Sequence, residues 1–352
     1  MMRRASKKLV WLSLAVALTW FLASAVSAQG LKPLADGFPK RAITLIVIDE
    51  PGTRDGIYAR MMQAACKGIS PVPILVSDEP IAQGGTWMKL NELRRRPGAT
   101  EGYYPAVFDV FGATTDFLIE PLTRDINAKV TDAKMILATE LFAYFFIQRK
   151  DAPWGKTFPD FLKYAKEHPG ELKYVSMEIG SGHDIAMSWI MNTHGIKVKK
   201  VPQGSHQECA STVGAGAADF SMIAGDVAYT NWQAGRIDVS LIMADTVPSP
   251  FDKDPNVSSG KQVGLPSIVG TQLALGVNSE TPDSHVDWMY QLFYAASQKP
   301  EFQKRWQGML PGDTPLPMKG KDVEKMMREI LVQFDQPIRD VGLHIDDVVR
   351  KK

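Results

Sequence analysis

Residues 42–56 read AITLIVIDEPGTRDG, a run of aliphatic and β-branched residues followed by a segment rich in turn-forming residues. The apolar run does not alternate with polar residues, which is typical of a strand buried on both faces in a parallel sheet. Residues 57–67 then place apolar side chains on one side of a helix. This stretch therefore predicts a strand, a loop and a helix in that order.

The same order returns at residues 172–184, LKYVSMEIGSGHD, where a short apolar strand leads into a loop of glycine and serine and then a helix. Strands and helices alternate along most of the chain, which is typical of α/β lobes whose mainly parallel sheets are flanked by helices. The predicted strands are 42–48, 72–77, 107–111, 136–147, 172–176, 197–201, 220–223, 239–243 and 273–277, and the predicted helices are 57–67, 86–95, 157–168, 184–193, 205–213, 284–297 and 321–333.

The composition of the 352-residue chain excludes several classes of protein. Its 40 Lys and Arg against 39 Asp and Glu leave no basic excess for phosphates, so we expect no nucleic-acid partner. Two cysteines are too few for a disulfide scaffold or a multi-cysteine zinc ribbon. The 45% hydrophobic content is too high for a disordered chain, and the length suits two domains.

The N-terminal segment has the pattern of a secretory signal. Basic residues at positions 3, 4, 7 and 8 precede an apolar run over 9–26, and Val26-Ser27-Ala28 offers small residues for cleavage. We predict that residues 1–28 are a signal peptide and that the mature chain is a soluble, mildly acidic, exported protein. The apolar run is slightly long, so an uncleaved membrane anchor is the alternative.

Two loops carry the candidate chemistry, at 48–56 and 178–184, and a third at 202–205 follows the same pattern. Each lies between a predicted strand and a predicted helix and presents small residues at the helix N-terminus. Unpaired backbone N–H groups and the helix dipole favour an anion there, and ligands of α/β sheets bind beyond the carboxyl ends of strands. The pattern predicts two lobes that face one ligand. For either of the first two loops taken alone, an ordinary turn that uses Gly and Ser for its geometry is the favoured interpretation.

Short motifs around these loops share a common order along the chain. They are Phe38-Pro39, Pro51-Gly52, Ala59-Arg60 and the segments 174–183, 201–204, 214–219 and 265–267. Together they resemble the Bug (TctC-like) family, the periplasmic solute-binding proteins of tripartite tricarboxylate transporters. The resemblance covers essentially all of the mature chain.

The resemblance implies a two-lobed, hinge-closing receptor similar to a type II periplasmic binding protein. Its lobes would be 38–143 with about 274–352, and 144–273. Such a receptor captures a small organic ligand, here a carboxylate-bearing one, and delivers it to the membrane subunits of its transporter. We expect no enzymatic activity, no cofactor, no metal and a monomer. A sensor subunit that serves no transporter is an alternative.

The resemblance also implies the residues that bind the ligand. In the family, backbone N–H groups of two loops hold a ligand carboxylate, often with ordered waters. Carried over to this chain, the binding residues are Pro51, Gly52, Thr53, Arg54 and Asp55 in the first loop, Gly180, Ser181, Gly182 and His183 in the second, Gln203 and Gly204 in the third, and Asp226 at the edge of a lobe.

The first loop departs from the family pattern where the ligand would bind. Asp49 and Glu50 precede Pro51, and Thr53 stands in place of the family's second glycine. Two carboxylates at this place would repel a simple dianion. Two interpretations remain: Asp49 or Glu50 contacts a ligand that is amphoteric, carries a cation or hydroxyls, or is a larger carboxylate, or both side chains face solvent.

An exported small-molecule hydrolase is the main enzymatic alternative. Ser181, His183 and Asp184 supply the residue types of a nucleophilic triad. Their adjacency in one loop disfavours mutual orientation, and no Gly-x-Ser-x-Gly elbow surrounds Ser181. We therefore favour a binding role for this loop.

The two cysteines raise two questions: whether Cys209 shares a metal with His206, and whether it pairs with Cys66. His206 and Cys209 are three residues apart on a predicted helix and suit a shared metal, although a surface histidine and a buried cysteine are favoured. Cys66 and Cys209 can pair in an oxidising compartment. Because they fall in different predicted lobes, where a bridge would restrain the hinge, we expect two separate buried thiols.

Aromatic and basic clusters complete the candidates. Four aromatic residues cluster in one part of the sequence: Trp87, Tyr103, Tyr104 and Phe108. They suit either an aromatic wall for a ligand or core packing, which we favour. The arginines at 94–96 precede Pro97-Gly98, a predicted helix C-terminus where positive charge suits the dipole.

Overall fold

The architecture is that of a two-lobed α/β protein in which one long strand is shared by two mixed sheets. The computed structural model describes residues 30–48, 52–80, 85–119, 129–177, 180–265, 270–309, 314–340 and 342–344. The predicted signal segment and the predicted site residues Asp49, Glu50 and Pro51 lie outside these ranges.

The first sheet is built around strand β1, Ile43–Val47. It pairs in parallel with β2 (Ile74–Asp78) and with β3 (Ala106–Asp109). Four of the five β1 residues are completely buried, and only Thr44 is partly exposed. This burial agrees with the unbroken apolar run in the sequence, because a strand covered on both faces needs no polar alternation.

The second sheet repeats the parallel arrangement. Strand β5 (Lys173–Ser176) lies between β6 (Lys199–Pro202) and β7 (Phe220–Ala224) and is parallel to both. Strands β8 (Ile237–Ile242) and β9 (Ser258–Ser259) form a second parallel pair in the same sheet. The prediction of parallel sheets is confirmed for these strands.

Strand β4, Ala133–Arg149, belongs to both sheets. Residues 133–143 pair antiparallel with β10 (Gly270–Asn278), which is also antiparallel to β3. Residues 144–149 pair antiparallel with β7 and β8. Strand β11 (Thr314–Lys319) adds a further antiparallel partner of β4 in the first sheet. The crossing strands therefore make both sheets mixed, while the strands that precede the site loops are parallel.

Ten helices cover the sheets within the described ranges. Their residues place apolar side chains at helical spacing toward the sheets, as in α10, where Val323, Met327, Ile330, Phe334 and Ile338 are buried. The helices are α1 (Arg54–Ala65), α2 (Gly85–Leu93), α3 (Val110–Thr115), α4 (Phe158–Glu167), α5 (Gly182–Thr193), α6 (His206–Gly214), α7 (Gly225–Gln233), α8 (Asp283–Ser297), α9 (Pro300–Met309) and α10 (Gly320–Asp340). No helix in these ranges is both long enough and apolar enough to cross a membrane.

The aromatic cluster of the sequence packs into the core. Trp87 and Phe108 are buried and meet edge to face at 5.7 Å between ring centroids, and the Trp87 indole N–H donates to the Ala113 carbonyl at 2.6 Å. The favoured core role is therefore confirmed for these two residues.

The arginines at 94–96 include one that binds a nearby carboxylate: Arg96 donates two hydrogen bonds to Glu79, at 2.8 and 2.7 Å.

The strand predicted over residues 107–111 is wrong at its C-terminal end. Strand β3 ends at Asp109, whose carboxylate accepts a hydrogen bond from the Gly112 N–H at 3.0 Å and so caps α3. Val110 and Phe111 are consequently helical, because a short capping side chain satisfies the first free amides of a helix. The helices α7 and α9 and the strands β9 and β11 also lie outside the predicted set.

Candidate ligand-binding site

Four helices begin where parallel strands end, at one face of the molecule. Helix α1 follows β1 of the first sheet, and α5, α6 and α7 follow β5, β6 and β7 of the second sheet. In α/β sheets the carboxyl ends of such strands are where ligands bind. The first turns of these helices contain Arg54, His183, His206 and Asp226, which lie within electrostatic range of one another. Both sheets therefore contribute to one polar cluster.

The first loop enters α1 through Gly52 and Thr53. Gly52 has a φ of 90°, a backbone conformation that favours glycine. Thr53 is the N-cap residue, yet its hydroxyl makes no capping hydrogen bond, and Oγ1 is shielded from solvent without a hydrogen-bond partner in the described parts of the chain. Asp55, in the first turn, is 8% exposed. The loop thus presents a hydroxyl and the Arg54 side chain at the start of the helix.

The second loop is held from inside by the buried carboxylate of Asp184. Asp184 accepts hydrogen bonds from the Gly180 N–H at 3.1 Å, from the Ser176 hydroxyl at 3.1 Å and from Lys200 Nζ at 2.9 Å. Ser181 caps α5, because its Oγ accepts a hydrogen bond from the Asp184 N–H at 3.3 Å. The Gly180 amide is therefore committed to the fold, whereas the amides of Gly182 and His183 open the helix and have no intrahelical acceptor.

Gly182 allows this loop to approach strand β4. A Cβ atom at Gly182 would lie 2.5 Å from the Tyr144 hydroxyl and 2.9 Å from Cδ1 of Phe111. Such distances are sterically forbidden, so only glycine permits this approach. The consequence is that the helix N-terminus and the Tyr144 ring lie against each other at the point where β4 passes from one sheet to the other.

The third loop also uses its own backbone donors. The Gln203 N–H donates to the Ser176 carbonyl and the Gly204 N–H to a Glu208 carboxylate oxygen, each at 2.8 Å. Ser205 caps α6 by accepting a hydrogen bond from the Glu208 N–H at 3.2 Å. The group that this loop presents to the cluster is therefore the imidazole of His206, the first residue of α6.

The rings of Tyr144, His183 and His206 form a continuous contact at the centre of the cluster. The ring centroids of Tyr144 and His183 are 3.8 Å apart, and those of His183 and His206 are 4.2 Å apart in an edge-to-face arrangement. His183 is 5% exposed, and His206 is half-buried as a residue. The two imidazoles thus face each other in a place shielded from water.

Burial lowers the pKa of both histidines. The pKa of His183 is held well below its usual range, mainly by burial and further by the neighbouring His206 and the Arg54 guanidinium. The pKa of His206 falls to about 4 for the same main reason, with Arg54 lowering it further and Asp226 opposing the change. Both imidazoles are therefore uncharged at neutral pH, and the permanent positive charge that reaches them is that of Arg54.

Several polar atoms of the cluster are shielded from solvent and have no hydrogen-bond partner within the described residues. They are Thr53 Oγ1, His183 Nε2, His206 Nδ1 and Asp226 Oδ1. Buried polar groups in folded proteins are nearly always hydrogen-bonded. The unsatisfied donors and acceptors of three helices and one cap residue therefore make this place a candidate for holding a polar ligand.

The surface position predicted for His206 is wrong. The sequence favoured a surface position for this histidine, but its Nδ1 is buried and its ring packs on His183. Cys209, its suggested metal-binding partner, is a fully buried free thiol, and the described residues contain no group of three or more His, Cys, Asp or Glu arranged to hold a metal. The signal that could have identified His206 was its place as the first residue after the third loop. Cys66 is also a buried free thiol, as expected.

The candidate nucleophilic triad is not assembled. Ser181 Oγ caps the helix, and the Asp184 carboxylate is engaged by Lys200, Ser176 and the Gly180 amide. His183 instead packs between Tyr144 and His206. The proton relay that a serine nucleophile needs, from serine to histidine to aspartate, is therefore missing from this loop.

Two α/β sheets that share a strand and enclose a polar cluster between their strand ends define a two-lobed solute-binding fold. The sequence profile of the tripartite tricarboxylate transporter family receptor (TctC) matches residues 59–343. The chain belongs to this family of solute-binding receptors.

Individual relatives are distant in sequence. A UPF0065 protein of Bordetella pertussis (strain Tohama I) is 22% identical over 312 residues, which are 88% of this chain and 92% of that protein. The structure of the periplasmic binding protein BugD has a TM-score of 0.69 at 14% identity, over 87% of this chain and 99% of that chain. A R. palustris protein solved with adipate has a TM-score of 0.71 at 15% identity, over the same shares. These structures show that the fold is that of periplasmic binding proteins.

Proposed function

We propose that this chain is an extracytoplasmic receptor that captures a small carboxylate between its two lobes and presents it to the membrane subunits of a tripartite tricarboxylate-type transporter. The family assignment supports the receptor role. The adipate held by one structural relative supports the ligand class. Residues 1–28 serve as the export signal, so the working protein begins near Gln29.

The observation that carries the proposal is the meeting of four helix N-termini from both sheets around Arg54, His183 and His206. Each N-terminus adds unpaired amides and the positive end of a helix dipole. Arg54 adds a full positive charge. Such a place favours an anion, and the planar fork of a guanidinium suits a carboxylate in particular.

The lobes in this proposal are 38–143 with about 274–352, and 144–273. Strand β4 changes sheets between Ala143 and Tyr144, which supports a hinge there. Arg54 lies on one side of that point, and His183, His206 and Asp226 lie on the other. Closing of the lobes would therefore bring the two halves of the anion site together, which is how a hinged receptor couples capture to a change of shape.

The binding residues in this proposal are those of the three loops. Thr53, Arg54, Gly182 and His183 would hold the ligand most directly, because their donors face the cluster or open a helix. Gly180, Ser181, Gln203 and Gly204 would shape the loops, since their hydrogen bonds lie within the fold. Asp226 would accept from a ligand hydroxyl or amine. Pro51, Gly52 and Asp55 would form the wall of the first loop, and Asp49 and Glu50 remain candidates for contact.

Binding without chemical conversion is part of the proposal. The side chains of Ser181 and Asp184 are committed to capping and to holding the loop. The cluster contains donors and the permanent cation of Arg54, which suit capture of an anion, and the Asp226 carboxylate, which suits a ligand hydroxyl or amine.

The test is a ligand screen on the full chain, expressed with its own N-terminus and purified from the periplasmic fraction. Adipate, malate and citrate are compared with uncharged adipamide by thermal shift and calorimetry. We expect at least one of the carboxylates to raise Tm by several degrees and adipamide to leave it unchanged. NMR of the bound ligand after release would show it unaltered, and mass spectrometry would show the chain to start at Gln29. A Tm insensitive to all three carboxylates would contradict the proposal.

A further inference from the structure

The facing imidazoles of His183 and His206 are the feature that the receptor role leaves unexplained. Their ring centroids are 4.2 Å apart, and each has a buried nitrogen without a hydrogen-bond partner in the described parts of the chain, His183 Nε2 and His206 Nδ1. A carboxylate needs donors, and backbone amides with Arg54 can supply them. Two ionisable rings at the same place add a property that amides lack, because an imidazole can gain a charge when its surroundings change.

Titratable groups face the histidine pair from several elements. Arg54 reaches both rings from α1, and Asp226 reaches His206 from α7. The Tyr144 ring covers His183 from β4. The guanidinium and the burial oppose protonation of the pair, and the single carboxylate of Asp226 favours it only at His206. Among these groups the balance keeps both imidazoles uncharged at neutral pH.

We propose that His183 and His206 form a proton-accepting anion subsite, which binds the second acidic group of a dianionic ligand and takes up a proton from solvent as it does so. This rests on the proposed receptor function and names its ligand class: a dicarboxylate, or a larger acid with two ionised groups. One N–H bond forms, on an imidazole nitrogen, and the proton comes from the buffer. The bond between that proton and the buffer acid breaks, and the conjugate base of the buffer stays in solution.

The electrostatic reason is the change in sign of the surroundings when a dianion enters. A second carboxylate beside the rings compensates the repulsion from Arg54, and its charge favours imidazolium over imidazole. We assign the proton to His183, because this residue is 5% exposed and an entering carboxylate would meet it away from water, where their attraction is strongest, whereas Asp226 already compensates part of the repulsion at His206. His206, in contact with it, would donate a neutral N–H.

The affinity for a dianionic ligand should therefore depend on pH. A proton taken up with the ligand makes the affinity rise as pH falls, by up to about tenfold per pH unit over the range where the free protein is uncharged and the complex is protonated. A monocarboxylate that occupies only the Arg54 side of the cluster would show no such dependence. The subsite thereby selects dianions over monoanions.

The experiment is calorimetry of the full exported chain with adipate, malate and citrate, and with hexanoate as the monoanion matched to adipate in length. Each titration is run between pH 5.5 and 8 in two buffers of different ionisation enthalpy, which yields the number of protons taken up. We expect wild type to take up close to one proton per dianion near pH 6 and none with hexanoate.

The variants are His183→Gln and His206→Gln, which keep a hydrogen-bonding side chain but cannot be protonated at these pH values. His194→Gln, at the other end of α5, is the matched control. We expect proton uptake to fall toward zero in His183→Gln and to stay at the wild-type value in His194→Gln. Unchanged uptake in both His183→Gln and His206→Gln would overturn the subsite.

A second measurement uses unaltered protein and so does not depend on the folding of a variant. The imidazole C2–H signals in NMR should titrate at higher pH with adipate than without it for two of the six histidines. Signals that titrate identically in both states would overturn the subsite. If none of the three acids binds wild type, the receptor proposal itself fails, and this outcome is distinct from binding without proton uptake.

Discussion

The fully buried carboxylate of Asp184 forms an ion pair with Lys200, whose Nζ lies 2.9 Å from Oδ1. The same ammonium donates to the Ser188 hydroxyl at 2.7 Å. Because Asp184 also receives the Gly180 amide, the ion pair fixes the second loop to strand β6. The geometry of the candidate site thus depends on an ion pair that holds the second loop from inside the fold.

Lys200→Met should destabilise the protein through this pair. Asp184 would keep its hydrogen bonds from Ser176 and Gly180 but lose its counter-charge, so we expect the free energy of unfolding to fall by about 1–3 kcal/mol. The Lys200 side chain is 35% exposed, so water moderates the loss. Urea unfolding measures the change, with Lys199→Met, on the same strand and exposed, as the control. Equal stability of the two variants would contradict the structural role.

Gly182→Ala should disturb the contact between the second loop and Tyr144. The new methyl group would need the space of the Tyr144 hydroxyl and the Phe111 ring, and such overpacking costs about 1–3 kcal/mol of unfolding free energy. Gly260→Ala is the matched control, since this buried glycine has its nearest neighbour at 3.6 Å. Thermal unfolding of both compares them. A Gly182→Ala variant as stable as wild type would show that the loop yields without strain.

Acid should remove a stabilising contribution of Glu79. Hydrogen bonds from Arg96 and then Lys89 lower the pKa of Glu79 from its ordinary value of 4.5 to about 2. A carboxyl group with a lowered pKa stabilises the folded state above its unfolded-state value and loses that effect as pH falls through its folded-state value. We therefore expect the loss between about pH 4.5 and 2. Urea midpoints over this range measure it in wild type and in Glu79→Gln.

The Glu79→Gln variant should show a flatter pH dependence over the same range. Glu167→Gln changes an exposed glutamate of α4 and serves as the control, which should retain the wild-type slope. A wild-type slope in Glu79→Gln would place the acid sensitivity elsewhere in the molecule.

Both cysteines should be unreactive in the native protein. Burial raises the pKa of the Cys66 thiol to about 12 and that of Cys209 to about 11, and the thiolate is the reactive form. A thiol reagent such as Ellman's should label neither in native buffer and both in guanidinium. Fewer than two thiols after denaturation without a reductant would reveal a disulfide and contradict the structure.

Much of the fold was accessible from local patterns. The strand at β1 and the helix predicted over 157–168 are both present, because burial on two faces and helix capping leave signals within a few residues. The boundary at Asp109 was not predicted, because aliphatic residues on both sides suit a strand and a helix equally. Strand β11 was also missed, since its pairing with β4 is not visible in its own residues.

Part of the candidate site could also be predicted from the sequence, and part could not. The glycine and serine loops at Gly52 and Ser181 were predicted, because a turn with positive φ and a helix cap each require particular residue types. The partners of the loops were not predicted. His206 was considered for a surface or metal-binding role, and Tyr144 was expected only to be part of a strand.

The sequence by itself determined the order of strand, loop and helix at 42–67 and at 172–193, and therefore which loops precede a helix N-terminus. Only the tertiary structure decided that Arg54, Tyr144, His183 and His206 meet. The physical reason is that contact and burial depend on distances between elements far apart in the chain. The protonation of the two imidazoles follows from that burial, so the charge of this site is a property of the folded molecule.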